Sequence, residues 1–309
     1  MKRIDEYRDI FKMPSCIKSI LRFALLCILV ICISDAHIKN SLGIRQAMLK
    51  YPPLGINGSW ISEHVKNPIS SHCTVFYASD GITILGGNNE DWSDPDTKFW
   101  IIPSTDGKYG WIKFGFASGF PQGGMNEHGL FWDATGCTYL EMPYSEAHKK
   151  KYSGPLMKKV MEECATVQEA CTIFDNFYCD DQYKAQYLIG DATGVSVIVE
   201  GDSIILKNGP FQVATNFYQS HPELGGYPCW RYDTAISMLE NSDNISPNLF
   251  GSILSATHQE GSYPTQYSNI YDLIGNIIYL FHFHNFEEFI KINLIDELKE
   301  GNRSFELPD

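Results

Sequence analysis

Between Cys73 and Trp92 the sequence reads as two apolar strands joined by a tight turn, with a dense polar run at the far end. Cys73-Thr-Val-Phe-Tyr forms the first strand, Ser79-Asp80-Gly81 the turn, and Ile82-Thr-Ile-Leu-Gly the second. Gly86-Gly-Asn-Asn-Glu-Asp-Trp92 follows. A hairpin brings its two far ends together, so Cys73 and Asp91 are expected to be neighbours. Acids and amides at the end of a buried strand need partners, because each buried unpaired group costs about 1–3 kcal/mol. A free α-ammonium on Cys73 would be such a partner for Asp91.

The rest of the chain alternates strand and helix blocks. Strands are expected at 99–102, 111–116 and 130–134. Two helices follow, 156–164 and 167–177, the second with Thr166 as N-cap and Glu169 at the capping-box position. Strands return at 185–189, 195–199, 203–206 and 211–215, then helices at 229–239 and 247–254. The C-terminal part reads as a segment at 269–273, a strand at 276–283 and a short helix at 287–290. The pattern predicts an α+β layered structure of two sheets covered by helices.

The chain has 309 residues, 44% of them hydrophobic and 20% charged, as in an ordinary globular protein. Its charge is unevenly placed. Residues 1–72 hold ten Lys/Arg and five Asp/Glu; residues 73–309 hold 14 and 32, for a net charge of -18. So acidic a body repels phosphate backbones and anionic surfaces, which argues against nucleic acid as a partner.

The basic excess flanks an apolar run. Lys18 and Arg22 precede eleven uncharged residues, 23–33, and Ser34-Asp35-Ala36 places small residues where a signal peptidase cuts. These are the parts of a secretory signal peptide, too short for a spanning helix. Residues 1–36 are therefore read as a signal peptide, or alternatively a retained anchor, and 37–72 as a Pro- and Gly-interrupted pro-segment. Residues 73–309 are read as the catalytic domain. Secretion, or anchoring through 23–33, is the expected location. The sequons at Asn57, Asn244 and Asn302 fit an exported glycoprotein. Of nine cysteines, six follow the leader, and no pairing is assigned.

Cys-Thr at a strand start, Gly-x-Asn-x-Asp-Trp, Gly-Met-Asn-Glu-x-Gly-Leu, Thr-Asn and an Arg on a helix occur here in that order. The series resembles the choloylglycine hydrolase and penicillin acylase family of N-terminal nucleophile hydrolases, nearest the isopenicillin-N acyltransferase and carcinine hydrolase branch. The resemblance implies a four-layer αββα sandwich and self-cleavage of the His72–Cys73 bond. It then implies hydrolysis of linear, non-peptide amides through a Cys73 acyl-enzyme. The new α-amine would serve as base for its own thiol, since its ordinary pKa of about 7.7–8.0 suits exchange near neutrality. Asp91 matches the carboxylate that orients amine and sulfur. Asn126 and Asn216 match the oxyanion asparagines, and Arg231 matches the bracing arginine. Asn88 stands where bile-salt hydrolases carry an arginine, which puts bile-salt specificity in doubt; Asn88 and Trp92 are candidate substrate contacts. A small-molecule amide is the expected partner, with a homo-oligomer also compatible, and no cofactor or metal is implied.

An acyltransferase would share the same intermediate, and a membrane-tethered interaction protein would never release Cys73. His282 and His284 stand two apart, as on one strand face, but no third metal ligand is evident in the sequence.

Overall fold

The computed structural model describes residues 73–307. They fall in one compact unit, and the leader and pro-segment readings lie outside the described residues. Strands β1 (Thr74–Ser79) and β2 (Ile84–Asp91) form the expected antiparallel hairpin, with Val75 opposite Asn88 and Tyr77 opposite Gly86. Asp80 Oδ1 closes the turn by accepting from the backbone N–H groups of Ile82 (2.8 Å) and Thr83 (2.7 Å). β2 runs further than Ile82–Gly86: the polar run expected at the strand's end forms its buried second half.

The hairpin lies inside a six-stranded antiparallel sheet. Its order is β12 (Phe211–Ala214), β1, β2, β13 (Thr265–Asp272), β14 (Ile277–His282) and β15 (Ile290–Asn293). The second sheet has eight strands. Its order is β11 (Ser203–Leu206), β10 (Ser196–Glu200), β9 (Ala185–Gly190), β6 (Phe131–Gly136), β5 (Pro121–Asn126), β4 (Trp111–Phe116), β3 (Thr97–Ile102) and β16 (Arg303–Glu306).

The two sheets face each other across Val75, Tyr77, Phe114, Met125, Phe131 and Tyr271. Helices α4 (Trp230–Glu240) and α5 (Pro247–Thr257) cover the outer face of the smaller sheet, packing Ala235, Phe250 and Ile253 against Phe76 and Leu85. Helices α2 (Leu156–Glu163) and α3 (Val167–Asn176) cover the larger sheet through Met157, Val160 and Phe174 against Trp111 and Trp132. This is the αββα sandwich. Because both faces of β1 are covered, it is apolar at every position from Val75 to Ala78 rather than alternating. Each such buried side chain contributes about 1.5–3 kcal/mol. Thr166 and Glu169 form the expected capping box on α3.

Pro121–Asn126, to which the sequence pattern assigned no element, is a strand, β5. A Cβ at Gly123 would lie 1.9 Å from Asp133 Oδ2 and one at Gly124 2.2 Å from the Ile112 carbonyl, so the close strand contacts require those glycines. Residues 287–290 form no helix. The chain enters β15 at Ile290 to bury Ile292, and the helix comes later, at Leu294–Lys299. Four residues make too few internal hydrogen bonds to outweigh that burial.

Gly86 lies on the inter-sheet face of β2, where an added Cβ would meet the Phe131 ring at 2.7 Å. Gly86→Ala is expected to cost about 1–3 kcal/mol by overpacking, read as a lower urea midpoint with unchanged slope. An unchanged midpoint would mean that the sheets are not held at this spacing.

Candidate active site

Side chains alternate along a strand, so Cys73 shares the inter-sheet face with Val75 and Tyr77. On β2, Asn88 and Glu90 take that face, while Asn89 and Asp91 point to the helix layer. Asn89 donates to the Leu254 carbonyl of α5, and Asp91 accepts from Thr265 and Gln259. The two acids of the polar run thus serve opposite sides of one strand.

On the helix side stands Arg231, on the first turn of α4, its side chain 4% exposed. Nη1 donates to the Cys73 carbonyl at 2.5 Å and to Thr74 Oγ1 at 3.0 Å; Nη2 donates to Asn216 Oδ1 at 3.0 Å. Nη1 also lies 4.0 Å from Asp91 Oδ2. Asn216 in turn donates to the Gly136 carbonyl at 2.8 Å. Asp91 is held by Thr265 Oγ1 (2.5 Å) and Gln259 Nε2 (3.0 Å). Cys73, Asp91, Asn216 and Arg231 therefore come together around the start of β1.

Asn126 does not join them. It follows Met125, which faces the inter-sheet core, so it points the other way. Its Nδ2 donates to the carbonyls of Met161 (3.0 Å) and Cys164 (2.8 Å), and its Oδ1 accepts from the N–H groups of His128 and Leu130. It ties the β5–β6 turn to the end of α2.

On the inter-sheet side, the Cys73 thiol donates to Glu90 Oε1 at 3.8 Å. Glu90 was not singled out from the sequence, nor was Asp133 of β6, which is fully buried across the gap. Period-two alternation, counted back from Asp91, was the signal that separated Glu90 from its neighbour. Among the described residues, Glu90 Oε2, both Asp133 carboxylate oxygens and the Asn88 amide find no hydrogen-bond partner. Burial first, and then the charge of Asp91, push the Glu90 carboxyl up to about 8. Burial, and then the charge of Glu90, hold Asp133 well above the usual carboxylate range. Burial also lifts Asp91 to about 7, against the pull of Thr265, Arg231 and Gln259. The Cys73 thiol is raised by burial and then by the charges of Glu90 and Asp91, while the Asp91 backbone N–H works in the opposite direction.

A cavity of about 300 Å³ opens beside Cys73, lined among others by Glu90, Trp92 and Trp132. Trp92 thus lies at the candidate site. Asn88 lies on the same strand face two residues deeper and is not among the cavity's lining residues.

Among the described residues, one group brings three donor atoms together, His258, Glu260 and His284, all within 4.8 Å of one another. His282 is not in it, because β14 ends there and the backbone turns to positive φ at Phe283 and His284. The described cysteines are all unpaired. Asn244 and Asn302 are exposed, and Asn57 lies outside the described residues. Among the described residues no helix is long and apolar enough to cross a membrane.

No family model and no curated protein matches the sequence. Solved structures do. A variant of conjugated bile acid hydrolase from Clostridium perfringens matches at 17% identity with a TM-score of 0.62, over 76% of this chain and 97% of the other. Penicillin V acylase from Agrobacterium tumefaciens matches at 16% identity with a TM-score of 0.52, over 68% and 82%. This is the fold of the N-terminal nucleophile hydrolases. In this N-terminal nucleophile hydrolase fold the cavity and the Arg231 cluster meet at Cys73, the residue just before β1.

Replacing Glu90 by Gln removes the negative charge nearest the sulfur. The pH midpoint of Cys73 alkylation by iodoacetamide, followed on the Cys73 peptide by mass spectrometry, is therefore expected to move down in Glu90→Gln. A midpoint that stays or rises would show that Glu90 does not act on the thiol.

Proposed function

We propose that this chain is an amide hydrolase whose nucleophile is Cys73, freed as an N-terminus by cleavage of its own His72–Cys73 bond. The observation that carries this reading is the convergence of Arg231, Asp91 and Asn216 on the residue whose sulfur opens into the cavity.

Cleavage comes first. Before it, the Cys73 nitrogen is an amide and cannot act as a base. The sulfur's hydrogen-bond partner is Glu90, with a carboxyl raised toward neutral pH, the range in which a general base works best. Glu90 takes the thiol proton as the sulfur attacks the His72 carbonyl. The C–N bond breaks as Glu90 returns that proton to the nitrogen, which leaves as the Cys73 α-amine, and a thioester links His72 to the sulfur. Water hydrolyses that thioester, giving the His72 carboxylate and the free thiol.

The mature site then has a base on the same residue as its nucleophile. The α-amine takes the thiol proton, the sulfur attacks a substrate amide carbonyl, and the proton passes to the departing amine. Arg231 fixes the Cys73 carbonyl, so the amine and sulfur keep one geometry. Asn216 uses one N–H on Gly136 and offers the other to the oxyanion, where losing a donor costs about 10²–10³ in rate. Water ends the cycle by hydrolysing the acyl-enzyme. Export through the leader, with the chain ending as a secreted glycoprotein, is part of the same reading.

N-terminal sequencing of the expressed protein tests it. Wild type is expected to begin Cys-Thr-Val-Phe, Cys73→Ala to remain joined through residue 72, and Glu90→Gln to mature more slowly than wild type. A Cys73→Ala chain cut at the same bond would show that the cysteine does not perform the cleavage.

A further inference from the structure

We propose that the cavity beside Cys73 is a cation subsite, so that the substrate is an amide bearing an ammonium or similar small organic cation. The proposal rests on the amidase reading for the reaction, while the binding claim stands on the cavity itself.

Three separate stretches of chain bring a carboxylate to this one space: Glu90 from β2, Asp94 from the loop after it, and Asp181 from the turn before β9. Among the described residues no lysine, arginine or histidine lines it. None of the three acids is in a salt bridge among the described residues. Asp94 spends one oxygen on the Asp96 N–H at 2.9 Å, and Glu90 Oε2 is buried without a partner. Burial already pushes the Glu90 carboxyl up to about 8, so the uncompensated charge of the empty cavity sits mainly on the half-buried Asp94 and Asp181, and a bound cation would offset it and draw the proton off Glu90. Aromatic rings complete the wall. Trp92, Trp132 and Tyr187 all line the cavity, the last two packed edge to face at 5.9 Å. Carboxylates for charge and ring faces for the organic part are the two elements that hold ammonium groups. An anionic ligand would meet repulsion, and a neutral one would leave the acids unanswered. The net charge of -18 over residues 73–309 draws a cation toward the same site.

The test uses the protein as expressed and needs no substrate. Iodoacetamide labelling of Cys73 is followed on its own peptide in the presence of hexylammonium, hexanol or hexanoate, which differ only in the polar end. Hexylammonium is expected to half-protect Cys73 at about tenfold lower concentration than hexanol, with hexanoate weaker still. The double variant Asp94→Asn/Asp181→Asn, which leaves Cys73, Asp91, Asn216 and Arg231 untouched, is expected to bring hexylammonium and hexanol to near parity. Equal protection by hexanol in wild type overturns the proposal, as does a preference that survives in the double variant. The wild-type comparison alone decides the matter if the double variant does not fold. Failure of the amidase reading shows separately, as a chain that never begins at Cys73.

Discussion

The guanidinium of Arg231 is the interaction on which the site depends. It is buried, and it spends its donors on the Cys73 carbonyl, Thr74 and Asn216 while standing beside Asp91. A planar fork of fixed charge joins groups from α4, β1 and the segment after β12 in a way that a lysine would not. Removing one partner of such a buried cluster costs about 3–5 kcal/mol, because the others are left uncompensated.

Strand alternation then divides the work. Asp91 and Asn89 face the helices and anchor the strand to α5 and β13, while Glu90 faces the sulfur. One side of β2 fixes the backbone and the other faces the sulfur. The acids on the sulfur side are raised by burial, Glu90 to about 8, which under the proposed function suits it to take the thiol proton.

Much of this was legible in the sequence, for identifiable reasons. The hairpin was marked by Asp80-Gly81 between apolar runs, and the α3 cap by Thr166 and Glu169. Arg231 and Asn216 could be placed near Cys73 only by resemblance, since each lies more than 140 residues away in the chain and no local pattern encodes the contact. Asn126 was drawn in by the same resemblance, yet it alternates with Met125 and so belongs to the helix layer. Glu90 was passed over because the run from 86 to 92 was read as one polar cluster. Its strand character, and hence its two faces, follows from pairing with β13, whose sequence lies far downstream. The β5 strand went unassigned because its glycines carry no strand signal; they serve close packing against neighbouring strands.

The central claim is that substrate carbon becomes bonded to the sulfur of residue 73. Mature protein quenched in acid during turnover of an amide substrate should carry the acyl mass on its N-terminal peptide, at Cys73. Full turnover with no acyl mass there, or with the mass on another residue, would contradict the account.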